Sequence, residues 1–146
     1  MRLIVKRRKL TLGEREIAQF VFKNHLILDD IELVAHRLIL KGYAMSPNGC
    51  IYFNPQDWIK DFSLHSVAKQ SWLVHELVHV WQIQQGIKVV RGALFDRRYR
   101  YVIEQGKQFL NYGIEQQAQM VQDYFILAKQ GQACGDLASC IPFIQR

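Results

Sequence analysis

The sequence predicts an α+β fold, mostly helical, with a small β-sheet lying beside one central helix. Three observations carry this reading. Ser66 to Gln85 places Trp72, Leu73, Leu77, Val80 and Trp81 at helical spacing ahead of Gly86, which suits a helix terminus. Tyr112 to Lys129 forms a second helical stretch that ends before Gly131. Between them and the N-terminus lie two short β-leaning runs separated by the turn-rich segment Ser46-Pro47-Asn48-Gly49. The chain has 146 residues, of which 49% are hydrophobic and 12% aromatic, so a single domain spanning 1–146 with a core of its own is expected and a disordered chain is excluded. No repeat, low-complexity tract or Pro/Gly/Ser linker divides it.

Taken in order, the apolar start Leu3-Ile4-Val5 runs at once into Lys6-Arg7-Arg8-Lys9 and is too short for a signal-peptide core. Thr11 and Glu14 have the spacing of a capping box, and Ile17, Phe20 and Val21 follow at helical spacing, so a first helix is expected from about Gly13 to Lys23. Ile31 to His36 and Cys50 to Phe53 read as strands, the second closed by Asn54-Pro55. Residues 87 to 110 give no clear pattern: Val89 to Gly92 suggests a turn, and Phe95 to Tyr101 fits either a loop or an irregular helix. The tail after Gly131 is expected to be an irregular cover over the core.

Composition sets further bounds. Nineteen basic residues against 13 acidic ones leave a net charge of +6, concentrated partly in Lys6 to Lys9 and in Arg97, Arg98 and Arg100. Such clusters attract nucleic acid, lipid headgroups or an anionic polymer, but no aromatic-and-basic signature accompanies them, so a solvated surface is the expectation and nucleic acid is disfavoured as a partner. Cys50, Cys134 and Cys140 cannot all pair and lack zinc-ribbon spacing, while a Cys134–Cys140 bridge stays open. No run reaches membrane-spanning length, so no membrane insertion is expected. The chain is expected to be cytoplasmic as synthesised, with export by a signal-independent route left open.

The chemistry resides in His75-Glu76-Leu77-Val78-His79, the H-E-x-x-H pattern. Residues four apart share a helix face, so both imidazoles can reach one cation, and zinc accepts imidazole nitrogen readily. Glu76 stands about 100° round the helix, where a carboxylate can serve as general base toward a metal-activated water. The flanks Trp72-Leu73-Val74 and Val80-Trp81 make this helix apolar, and burying two histidines and a glutamate there is costly unless each has a partner. A metal satisfies all three.

A catalytic zinc site needs a third protein ligand and a position for water. No histidine follows His79. Glu115, near the start of the second long helix, is the best candidate, with Ala118, Gln119 and Gln122 on its face forming a polar stripe with one small residue. Glu104, Asp96 and Asp123 are rival carboxylates, and His25, His36 and His65 rival imidazoles.

Five segments together, Ser46 to Phe53, Asp61-Phe62-Ser63, His75 to Gln82, Tyr99-Arg100-Tyr101 and Tyr112 to Ala118, resemble the bacterial Vgr-related, Rhs-associated zinc metallopeptidases. The similarity spans roughly residues 10 to 127. It implies a minimal zincin of gluzincin type, with Cys50 to Phe53 as the strand beside the cleft, Zn2+ as cofactor, His75, His79 and Glu115 as ligands and Glu76 as base. It also implies an association with type VI secretion and Rhs elements. Many gluzincins carry an aspartate four residues after the glutamate ligand to orient a zinc-binding histidine. Gln119 stands there in this chain, as a weaker acceptor, and Asp123 is the substitute expected beside it. Of the nearby tyrosines Tyr99, Tyr101, Tyr112 and Tyr124, Tyr112 is the candidate donor to a developing oxyanion.

The function expected is a zinc metallopeptidase or amidase acting on a peptide, a protein or the peptide stem of the cell wall. The alternative is a catalytically silent module that keeps the scaffold and docks on a secretion-system or Rhs protein. A third reading, nucleic-acid binding through the Arg97 to Arg100 cluster, would show strong salt dependence.

Overall fold

The computed structural model describes residues 1–89 and 98–144. Arg97 of the second basic cluster, the rival carboxylate Asp96 and the rest of 90–97, a third of the stretch without a clear pattern, lie outside the described residues. Among these residues four α-helices accompany a mixed four-stranded sheet: β1 (Ile4–Lys9), α1 (Leu12–Phe22), β2 (Glu32–His36), β3 (Ala44–Met45), β4 (Ile51–Phe53), α2 (Val67–Gln84), α3 (Ile114–Lys129) and α4 (Gly135–Cys140). The α+β expectation therefore stands, and the two long helices fall within two residues of the limits read from the sequence.

The sheet runs β1-β2-β4-β3. β1 pairs antiparallel with β2, β2 parallel with β4, and β3 antiparallel with β4. Two of these strands correct the sequence reading. The apolar start and the first basic cluster form one edge strand, β1, mostly exposed, whose lysines and arginines discourage pairing with another chain. On the opposite side β3 pairs with β4, so Cys50 to Phe53 is an interior strand and Ala44–Met45 is the second edge of the sheet. The turn between β3 and β4 uses Gly49 at φ +89°, a left-handed conformation that glycine adopts without strain.

α1 begins with the expected capping box, Thr11 accepting from Glu14 N–H and Glu14 accepting from Thr11 N–H. Glu14 does more than cap. It is fully buried, takes a bidentate ion pair from Arg8 at 2.7 and 2.8 Å, and accepts Phe62 N–H at 2.8 Å. One carboxylate thus ties β1, α1 and the short 3-10 helix Phe62–Leu64 together. Gly13 sits against that 3-10 helix so closely that a β-carbon would fall on Ser63 Oγ.

α2 is buried from Leu73 through Gln82 without interruption. A helix buried on every face must be covered on every face, and α1, β4 and α3 all contact it. The tail is more regular than expected. After α4, Ile141 and Phe143 are buried, Phe143 packing at 4.7 Å between ring centroids from Phe22 and 5.1 Å from Trp81. No described helix is long and apolar enough to cross a membrane.

Because Glu14 holds one ion pair and two main-chain donors at once, Glu14→Ala is expected to lower stability by about 3 kcal/mol, the lower end for breaking a buried pair since Arg8 keeps some solvent access. Urea unfolding measures this. A loss below about 1 kcal/mol would show that Arg8 and the main-chain donors find other partners.

Candidate metal centre

Helical spacing sets His75 and His79 one turn apart on the face of α2 that meets α3, with their rings T-shaped and 5.2 Å apart. Glu115 arrives from the first turn of α3, whose start is fixed by Gln116 accepting Gly113 N–H at 2.8 Å. Its Oε1 lies 3.1 Å from His75 Nε2 and 2.9 Å from His79 Nε2. These three side chains offer ligand atoms all within 4.8 Å of one another and could hold a metal ion. Both histidines are buried, and Glu115 is nearly so.

The outer nitrogen of each ring is also engaged. His75 Nδ1 lies 2.8 Å from Gln122 Oε1, and His79 Nδ1 lies 2.8 Å from Gln82 Oε1. Gln119 and Asp123 are elsewhere: Gln119 donates to Asp123 at 2.9 Å, and the other Asp123 oxygen accepts from Tyr101 OH at 2.6 Å. Burial and that bond to Asp123 push the Tyr101 hydroxyl well above its usual range, so it stays protonated as a donor. Glu76 is buried one position from His75, and Ser46 Oγ, just beyond β3, donates to its Oε1 at 3.0 Å.

Tyr112 is buried, but its hydroxyl accepts Glu104 N–H at 3.0 Å and Lys107 lies over its ring, so the described contacts turn it toward the 104–107 loop. The tyrosine beside the imidazoles is Tyr99, stacked on His75 at 6.0 Å. Among the described residues the rivals Glu104, Asp123, His25, His36 and His65 are not part of the cluster.

Sequence reasoning missed Ser46, Gln82 and the role of Gln122. A signal for Gln82 existed: it is a fully buried amide in an apolar helix, three residues after His79, and such a group needs partners.

Electrostatics favour a cation. Burial opposes the charged form of Glu115, yet hydrogen bonds to His75 and His79 and their charge hold its carboxyl down at about 2. Burial likewise opposes charge on His79, but the bond to Glu115, the Coulombic pull of Glu76 and Glu115 and the bond to Gln82 raise it to about 9. Glu76 and Glu115 thus favour positive charge beside them. Two imidazoles and one carboxylate form a donor set typical of zinc sites with three protein ligands and one open position. The residues fit.

No family model matches the chain. The chain is 36% identical, over an alignment of 131 residues taking in 82% of its length, to the type VI secretion system spike protein VgrG2b of Pseudomonas aeruginosa, and spans only 13% of that protein. It is also similar to the solved effector domain of Pseudomonas aeruginosa VgrG2b, with a TM-score of 0.79 and 34% identity, covering 90% of this chain and 80% of that one. The relation thus extends over nearly the whole fold, and this chain belongs to the family of the VgrG2b effector domain.

Proposed function

We propose that this chain is a zinc-dependent metallopeptidase domain, delivered through a type VI secretion spike, that cleaves a peptide bond in a protein or in cell-wall peptide. The observation that carries the reading is the convergence of His75 Nε2, His79 Nε2 and Glu115 Oε1, with the Glu76 carboxylate one residue away on the same helix. Kinship with an effector domain supports delivery, and the donor set supports hydrolysis.

Zinc bound there would supply Lewis-acid polarisation of a carbonyl and activation of water. The chain's own residues supply the rest. Glu76 is the general base: it takes the proton from the attacking water and returns it to the leaving amine. Ser46 holds one of its oxygens, so the carboxylate is oriented before substrate arrives. The apolar neighbours Leu73, Val74, Leu77 and Val78 keep bulk water from the inner side of the helix, which strengthens every charge interaction on the outer side.

Elemental mass spectrometry of the purified wild type is expected to find about one zinc per chain, with loss of metal in His79→Ala and in Glu115→Ala. Metal retained at wild-type level in Glu115→Ala would mean that another residue is the third ligand. A correctly folded wild type that cannot be loaded would remove the hydrolase reading in favour of a docking module.

Glu76→Gln is expected to keep its zinc while losing about 10²- to 10⁴-fold in turnover of fluorescent casein or of a muropeptide panel, whichever the wild type cleaves. Undiminished turnover in this variant would exclude Glu76 as the base.

A further inference from the structure

A neutral imidazole carries one N–H and one lone pair, and which nitrogen carries which is set by its neighbours. On the Nδ1 side of His75 and His79 the neighbours are amides, whose own orientation must first be fixed. Gln122 Nε2 lies 3.2 Å from Ser71 Oγ, and the single proton of Ser71 Oγ is given to the Ala68 carbonyl at 2.7 Å. Ser71 can therefore only accept from Gln122. The amide nitrogen must face Ser71, which turns Oε1 toward His75 Nδ1.

A second chain does the same for His79. Gln117 Nε2 donates to the Tyr112 carbonyl at 2.8 Å, so its oxygen faces Gln82. Gln82 Nε2 donates to that oxygen at 2.9 Å and to the Ile114 carbonyl at 3.1 Å, which leaves its Oε1 on His79 Nδ1. Both chains start from main-chain carbonyls, which never donate, so neither can be reversed. An oxygen that only accepts, facing each Nδ1, requires a proton there.

We infer that Gln122 and Gln82 are positioning residues: they hold a proton on Nδ1 of His75 and His79, so that Nε2 of each, facing Glu115, is the ring nitrogen left to a metal, which displaces any proton that Nε2 shares with the Glu115 carboxylate. Gln117 acts one step behind, by orienting Gln82. The inference rests on the metal reading above and adds what directs Nε2 of each imidazole, rather than Nδ1, to the metal. It also transfers the orienting role from Gln119 and Asp123, which bond to each other, to two amides seven residues on from Glu115 and three on from His79.

The test uses zinc affinity, measured by competition with a chromogenic chelator, and long-range ¹H–¹⁵N correlation spectra of the zinc-loaded protein. Wild type should show Nε2 ligation and an Nδ1 proton for both histidines. Gln122→Leu should bind zinc about 10- to 100-fold more weakly, with faster solvent exchange of the His75 Nδ1 proton and no change at His79. Gln122→Glu, which keeps an acceptor at this position, should bind no more weakly than wild type.

A wild type that takes up zinc, with Gln122→Leu matching its affinity, overturns the inference and leaves the metal reading intact. Ligation of wild-type His75 through Nδ1 overturns it without any variant. A folded wild type that takes up no zinc overturns the metal reading beneath it.

Discussion

The meeting of His75 and His79 with Glu115 removes three ionisable side chains from water at the seam between α2 and α3, where unpaired charge would be strongly destabilising. Much of the surrounding structure answers that constraint. α2 is apolar on its other faces, which gives it the packing energy to enter the core at all. α3 supplies at this seam one carboxylate and the amides of Gln117 and Gln122, and Ala118 lets the two helices approach. Far from the seam, Glu14 plays a comparable part at the base of the sheet, where a single buried carboxylate joins three elements. In both places a polar group is tolerated because hydrogen bonds from neighbouring elements satisfy it.

Much of this was legible in the sequence, and the limit lay in how far each signal reaches along the chain. The Thr11–Glu14 capping box, the limits of α2 and α3, and the convergence of His75, His79 and Glu115 all depend on spacings within one helix or on a carboxylate near a helix start. β1 and β3 depend on something else. β1 is an edge strand with both faces largely exposed, so it has no apolar alternation to read and exists only because β2 offers it a ladder. β3 has two residues, too few for any pattern. Ser46 escaped for the same reason: only the sheet brings it to Glu76, thirty positions away in the chain.

The choice between Gln119 and Gln122 shows the limit more finely. Both share a face with Glu115, one about 40° to one side and the other about 20° to the other side. Rotation alone cannot separate them. What decides is translation: α2 and α3 run antiparallel, as shown by Gln82 meeting Ile114 and Gln117 while Ser71 meets Gln122. A step of seven residues, about 10 Å along α3, carries the chain past His79 to the outer edge of His75, whereas a step of four, about 6 Å, stops short of it. The direction in which two helices cross is a tertiary fact, and no spacing within either one contains it.

That amides rather than carboxylates flank the imidazoles has its own physical logic. A carboxylate accepts a hydrogen bond from Nδ1–H more strongly than an amide does and would raise the basicity of Nε2. It would also add another negative charge to a seam that already buries Glu76 and Glu115. Two carboxylates balance one divalent cation, and a third or fourth would have to be stabilised in a low-dielectric site with nothing to pair against when the metal is absent. An amide supplies the acceptor without the charge. It also has a donor end, and here that end is what makes the arrangement directional: each amide nitrogen is committed to a carbonyl or to an oxygen that can only accept, so each amide oxygen has one place left to point. Ligand orientation is thereby built into the uncharged part of the seam, while the charge balance is left to Glu76, Glu115 and whatever cation they hold.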